Sequence, residues 1–101
     1  MYKMIIVRVK YRTPEGQRDA FLQQMFDEGL PQACRAEEGN ICYDYFLNYE
    51  DPNEILLLEM WKDGTALAKH GKEPHFDRIG QVRGGAGVQA TIESYDSKQR
   101  K

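Results

Sequence analysis

The chain has 101 residues, which is enough for one small domain with one hydrophobic core but not for two. Hydrophobic residues make up 41% of it and charged residues 30%, a balance that is ordinary for a folded globular protein and argues against a disordered chain. A formal net charge of −2 gives no overall field that would favour nucleic acid or an anionic membrane as a partner.

The N-terminal segment and the cysteines indicate a cytoplasmic protein. The first apolar run is short and is interrupted by Arg8, which does not fit a signal peptide. No window approaches the roughly 20 apolar residues of a membrane helix. Cys34 and Cys42 fall on different predicted elements, so we expect two free thiols rather than a disulfide. A single domain is expected over residues 1–96, with a solvated basic tail at 97–101.

The first third of the chain predicts a strand followed by a helix. Residues 4–12 are rich in β-branched side chains and alternate in polarity, as in a strand with one buried face. Thr13 is a candidate N-cap, and apolar residues at spacings of three and four predict a helix from there to about Glu38. Gly29 and Pro31 would kink this helix or split it.

The remaining elements predict a small sandwich. In order they are a strand at 41–49, a turn at 50–53, a strand at 55–61, a helix at 63–71, a turn or short helix at 73–79, and a strand at 88–95. Gly84, Gly85 and Gly87 are expected to form a flexible entry to the last strand. This order predicts an α+β, ferredoxin-like fold: a four-stranded antiparallel sheet with the helices on one face. The other face of this sheet, the bare face, has no helices over it. Its apolar residues would be buried by a second copy of the chain, which predicts a homodimer.

Four short motifs resemble the antibiotic biosynthesis monooxygenase family. They are Glu37-Glu38-Gly39-Asn40, Glu59-Met60-Trp61-Lys62-Asp63, His70, and Pro74-His75-Phe76. The resemblance covers residues 4–95 and implies that two ferredoxin-like domains pair as a dimeric α/β barrel. It also implies a small oxygenase of quinol-like or polyketide aromatic substrates that uses no metal, haem or flavin. Other members are isomerases of signalling sugars or have no established reaction.

Two cofactor classes find no support in the residues. The haem-degrading branch of the family uses an asparagine on the first strand, and residues 4–12 contain none. The run from Gly84 to Gly87 precedes a strand and opens no helix, so it is not a dinucleotide-binding fingerprint. We therefore expect no cofactor.

The candidate catalytic residues are Glu59, His70 and His75. His70 matches the family motif and is the best candidate for a base, because imidazole is suited to proton transfer near neutral pH. His75 is either functional or a brace for the turn at Pro74. Glu59 interrupts an apolar strand and needs a partner, and a cross-strand partner such as Arg8 would make it purely structural. No metal site is expected, because the two histidines are five residues apart and do not share a helical face.

Three aromatic residues are candidates for substrate binding. Trp61 shares a strand face with Glu59 and could stack on a substrate, although a core or interface role is the more common one. Tyr43 and Tyr45 could orient a phenolic substrate. Together with Tyr49, however, they are expected mostly to supply dimer surface.

The sequence thus favours a cofactor-independent monooxygenase that oxidises a small electron-rich aromatic in an apolar pocket. One alternative is a protein that binds a small hydrophobic ligand without catalysis. Another is an isomerase of a phosphorylated carbonyl metabolite, which arginines in the pocket would favour. The candidates for those arginines are Arg8, Arg78 and Arg83.

Overall fold

The structure is a computed structural model that describes residues 4–100. Its strands are β1 (Met4–Arg12), β2 (Asn40–Leu47), β3 (Glu54–Trp61) and β4 (Gln89–Ser97). Its helices are α1 (Arg18–Asp27), α2 (Leu30–Arg35), α3 (Gly64–His70) and α4 (Pro74–Gly85). The strands form one antiparallel sheet in the order β2-β3-β1-β4, which confirms the predicted ferredoxin-like α+β fold. No helix among these residues is long and apolar enough to cross a membrane.

The two central strands divide the sheet into two different faces. Val7 and Val9 of β1 and Leu57 of β3 are at most 6% exposed and share one core with residues of α1, α2 and α4. The alternate residues of the same strands point to the opposite face, where Arg8 lies across from Leu58. Apart from Met4, which is buried at the start of β1, side chains there are exposed or half-buried, so the core cluster lies on one face.

The predicted first helix is two helices, and it begins later than expected. Gly29 takes a left-handed conformation with φ of 72°, which ends α1, and Pro31 lies in the first turn of α2. The prediction of Thr13 as the N-cap is wrong. Thr13 is only 4% exposed, and its backbone N–H donates to the carbonyl of Asn53 at 2.8 Å. It is therefore tied to the β2–β3 connection instead of capping a helix.

The last two elements, α4 and β4, are longer than predicted. α3 begins as expected, with the Asp63 carboxylate accepting from a backbone N–H in the first turn. Gly84 and Gly85 are not a flexible entry but the last residues of α4. The buried residues Ile79 and Val82 anchor this helix one turn before its end, and the left-handed Gly87 follows its end.

Cys34 and Cys42 are both free, as predicted. Cys34 is fully buried in α2, whereas Cys42 is half-buried on β2, where it pairs with Met60 on the face away from the helices. The two thiols are therefore separated by the sheet.

Candidate functional site

A cavity of about 250 Å³ lies between the sheet and the helices α3 and α4. Its walls are mainly apolar, with a few polar groups among them. The lining residues are Val9, Tyr11, Tyr43, Glu59, His70, Phe76, Ile79, Gly80, Arg83, Ala90 and Ile92. Two larger grooves, of about 380 and 360 Å³, lie on the surface near Arg18 and on the bare sheet face near Leu56, and neither contains a histidine. The cavity that contains His70 is therefore the candidate site.

His70 lies at the C-terminal end of α3 and is only 3% exposed. The connection from β3 to α3 is short, so the end of this helix returns over the end of the strand. There the His70 ring packs on the ring of Trp61, with centroids 4.6 Å apart. The ring of Phe76 makes a T-shaped contact with the same imidazole, with centroids 5.1 Å apart. The imidazole is thus held by contacts with two aromatic rings.

Glu37 holds both histidines, and sequence reasoning did not assign it to the site. Its Oε2 atom lies 2.7 Å from Nδ1 of His70 and 2.7 Å from Nε2 of His75. Its side chain is only 9% exposed, so this is a largely buried charge cluster. The family-like segment around Glu37 was noted, but nothing in the spacing indicated that the turn after α2 meets the ends of α3 and α4.

Glu59 is buried on β3 with Trp61 as its hydrogen-bond partner. The indole Nε1–H donates to Oε1 of Glu59 at 3.0 Å. Burial raises the pKa of the Glu59 carboxyl above its usual value, and the hydrogen bond from Trp61 offsets part of that rise. The same Oε1 atom is 4.0 Å from Nε2 of His70. That distance is too long for a hydrogen bond, so Nε2 stays available on the side of Glu59.

Arg8, the alternative cross-strand partner that would make Glu59 purely structural, does not pair with it. Glu59 lies opposite Val7 in the sheet, and Arg8 points to the other face. There Arg8 pairs with Glu93, its cross-strand neighbour, at 2.6 Å. The period of two along a strand makes consecutive residues such as 7 and 8 face opposite sides.

The aromatic candidates have three different positions. Tyr43 is 2% exposed and lines the cavity. Tyr45 packs against Phe26 of α1, with ring centroids 5.8 Å apart, and does not line the cavity. Trp61 is fully buried beneath His70 and does not line it either. The prediction that Tyr43 and Tyr45 supply dimer surface is wrong, because they face the helices.

Of the three candidate arginines, only Arg83 lines the cavity. One of its N–H groups donates to the carbonyl of Val88 at 3.0 Å. Arg78 is exposed and pairs with Glu28 at 2.6 Å. The cavity therefore has one guanidinium among its mainly apolar walls.

One cluster contains the donor types that bind transition metals. The ligand atoms of Cys34, Glu37, His70 and His75 all lie within 4.8 Å of one another. The spacing of the two histidines alone predicts no metal site, but the fold brings a thiol and a carboxylate to them.

The chain is similar to proteins of one family. Residues 4–81 match the family described as antibiotic biosynthesis monooxygenase. The Bacillus subtilis protein named "Putative monooxygenase YcnE" is 36% identical over 73 residues, which are 72% of this chain and 75% of that protein. A Deinococcus radiodurans structure bearing the same family name has a TM-score of 0.84 at 20% identity, covering 96% of this chain and 95% of that one. A conserved protein from Methanosarcina mazei has a TM-score of 0.81 at 25% identity, covering 97% and 95%.

Proposed function

Because the chain belongs to the antibiotic biosynthesis monooxygenase family, we propose that it is a cofactor-independent monooxygenase of a small electron-rich aromatic, such as a quinol or a polyketide-like phenol. One observation carries the proposal: an imidazole held by a buried carboxylate borders an apolar cavity. The fold alone would not support a reaction, because one fold serves many functions.

His70 is the proposed base. A carboxylate oxygen only accepts hydrogen bonds, so with Glu37 ionised the Nδ1–H of His70 donates to it. The lone pair is then on Nε2, the nitrogen that faces Glu59, which lines the cavity. A phenol whose oxygen comes within about 3 Å of Nε2 can give up its proton there. The imidazolium that forms is stabilised by the adjacent Glu37 carboxylate, as the acid in a catalytic triad stabilises its histidine.

The phenolate formed in this way supplies the electrons for the reaction with dioxygen. It transfers one electron to O₂, and the two radicals combine to form a C–O bond, which gives a peroxide anion at a ring carbon. The His70 imidazolium returns its proton to this anion, which becomes a hydroperoxide. Loss of water from the hydroperoxide leaves a carbonyl. One oxygen atom is thus retained in the quinone, and the other leaves as water with two substrate hydrogens. The protein contributes deprotonation, orientation and a cavity that excludes water.

The size and polarity of the cavity favour a small aromatic substrate. A volume of about 250 Å³ corresponds to roughly eight water volumes, which suits a molecule of one or two rings. A phosphorylated substrate would need several cations, and Arg83 alone lines the cavity. Glu59 adds a carboxyl that would repel a phosphate. These features favour the quinol reaction over isomerisation of a phosphorylated carbonyl compound.

The test is dioxygen uptake by chelator-treated protein with a panel of quinols and anthrone-like phenols. His70→Ala should lower turnover by about 100-fold or more, the usual contribution of a general base. Lys69→Ala is the matched control, since Lys69 precedes His70 on α3 but is exposed. No uptake above autoxidation across the panel would instead favour a binding protein. Uptake that is unchanged in His70→Ala would exclude His70 as the base.

We also propose that the protein is a homodimer paired through the bare sheet face. Half-buried apolar residues of β3, Leu56, Leu58 and Met60, lie on that face. Phe46 of β2 and Tyr95 of β4 extend it and are about half exposed. An apolar face of this kind on a small domain is a common site of pairing between identical chains.

A further inference from the structure

We propose that Cys34, Glu37, His70 and His75, named here the four-donor cluster, bind one divalent transition-metal ion of the zinc type. The four side chains come from three helices and a turn: the end of α2, the turn that follows it, the end of α3 and the start of α4. Their ligand atoms already lie within 4.8 Å of one another. The convergence of one thiol, one carboxylate and two imidazoles is therefore a product of the fold and not of sequence spacing.

The donor set selects the class of ion. Thiolate and imidazole are preferred by Zn²⁺ and its neighbours, whereas Mg²⁺ and Ca²⁺ prefer oxygen ligands alone. Four ligands of mixed sulfur, nitrogen and oxygen type complete a tetrahedral shell, the usual arrangement of a protein zinc site. Burial raises the pKa of the Cys34 thiol to about 12, so binding displaces a proton from it.

The ligand atoms must move to form the shell, because some pairs are now too close and any pair near the 4.8 Å limit is too far apart. Two ligand atoms on a tetrahedral zinc ion lie about 3.3 Å apart, since zinc–nitrogen bonds are about 2.0 Å long. The Glu37 oxygen is 2.7 Å from each imidazole nitrogen, so these contacts must open by roughly 0.6 Å. The side chain of His75 is 17% exposed, more than those of Glu37 and His70, and offers the route by which an ion enters.

The surroundings of His70 fit a metal ligand. Nδ1 faces Glu37 and would bind the ion, which leaves the ring proton on Nε2, 4.0 Å from the Glu59 carboxyl. A ligating histidine ordinarily donates its second N–H to a carboxylate, and Glu59 is the carboxylate on that side, although the 4.0 Å separation must shorten for the hydrogen bond to form. The same coordination removes the lone pair from Nε2, so the metal-loaded protein would lack the proposed base. Binding of the ion does not itself depend on the proposed reaction.

Titration of the tag-free, chelator-treated full chain with Co²⁺ tests the site without any activity assay. We expect one Co²⁺ per chain, with the intense thiolate-to-cobalt absorption band and the visible bands of a tetrahedral ion. Stoichiometric Zn²⁺ should displace Co²⁺ and abolish the thiolate band and the visible bands, whereas excess Mg²⁺ should leave them unchanged. Absence of a saturable thiolate band at one equivalent would overturn the proposal.

Substitutions assign the ligands. Cys34→Ser should lose the thiolate band, while Cys42→Ser, which alters the thiol on the other sheet face, should retain it. Because Cys34 is fully buried, the fold of that variant is checked by circular dichroism, and His75→Ala provides a second test at a more exposed position. His75→Ala should weaken Co²⁺ binding by more than about 100-fold, since even partners outside the ligand shell contribute 10- to 100-fold. A band that persists in Cys34→Ser, or unchanged affinity in His75→Ala, would refute the assignment.

Discussion

Replacing Glu37 by Gln tests whether the buried carboxylate holds the three helix ends together. The substitution keeps the shape and one acceptor oxygen but removes the charge. In the wild type, Oε2 of Glu37 forms hydrogen bonds with both His70 and His75. Each is 2.7 Å long, which is typical of bonds to a charged acceptor. The side chains of Glu37, His70 and His75 are 9%, 4% and 17% exposed, so solvent screens these bonds little.

The expected loss of stability follows from these two contacts. A hydrogen bond to a charged group contributes about 1.5–3 kcal/mol net, and a neutral acceptor gives roughly half of that. Two such bonds to Glu37 predict a decrease of about 1.5–3 kcal/mol in the free energy of unfolding. For a domain of about 100 residues, this corresponds to a melting temperature lower by about 6–24 °C.

Urea and thermal denaturation, followed by circular dichroism at one fixed protein concentration, measure the effect. Glu38→Gln is the matched control: the same substitution one residue later, where the side chain is 81% exposed and lies 3.6 Å from Lys62. It should change the free energy of unfolding by less than about 0.5 kcal/mol. If Glu37→Gln is no less stable than Glu38→Gln, the buried carboxylate does not stabilise the helix ends.

Three further predictions concern other parts of the molecule. Glu59→Gln should stabilise the protein relative to the wild type, and increasingly so as pH rises. Burial raises the pKa of the Glu59 carboxyl in the folded protein above its value in the unfolded chain, which is about 4.3. The folded wild type is therefore most stable below that unfolded pKa, and it loses stability as pH rises through the folded pKa, whereas the neutral Gln does not titrate. Denaturation midpoints of both proteins from pH 4 to 8 measure this, and parallel curves would contradict it. Leu58→Asp should convert a dimer of 11.7 kDa chains into a monomer by light scattering, because it places a charge on the bare sheet face; a wild type that is already monomeric would disprove the pairing. In Cys42→Ser, the fully buried Cys34 should react with a thiol reagent only after unfolding, since reaction needs both access and the thiolate. Labelling of the native variant at the rate of an exposed thiol would show that the core around it opens.

Local patterns predicted most of the sheet. β1 covers residues 4–12 as predicted, because side chains that alternate between apolar and polar with a period of two indicate a strand with one buried face. The hairpin of β2 and β3 also follows from its turn residues. Helix boundaries were less predictable. Thr13 has the chemistry of an N-cap but is held by Asn53, a contact 40 residues away along the chain.

Only part of the candidate cavity could be predicted from the sequence. Of the predicted site residues, His70, Glu59 and Tyr43 line it, whereas His75, Trp61 and Tyr45 do not. Glu37 was missed as a site residue because its two partners come from other helices, 33 and 38 residues further along the chain. Contacts of this kind depend on how helices pack at their ends, and no periodicity within one segment records that packing.

The strand β3 carries two different surfaces on alternate residues. Ile55, Leu57, Glu59 and Trp61 belong to the core and the cavity, and the residues between them belong to the bare face. Point substitutions can therefore alter one surface while leaving the other intact, so the substrate and the oligomeric state are free to diverge separately. A one-residue insertion or deletion within the strand would instead exchange the two sets and lose both at once. We therefore expect natural length variation in this region to be confined to the β2–β3 connection at residues 48–53.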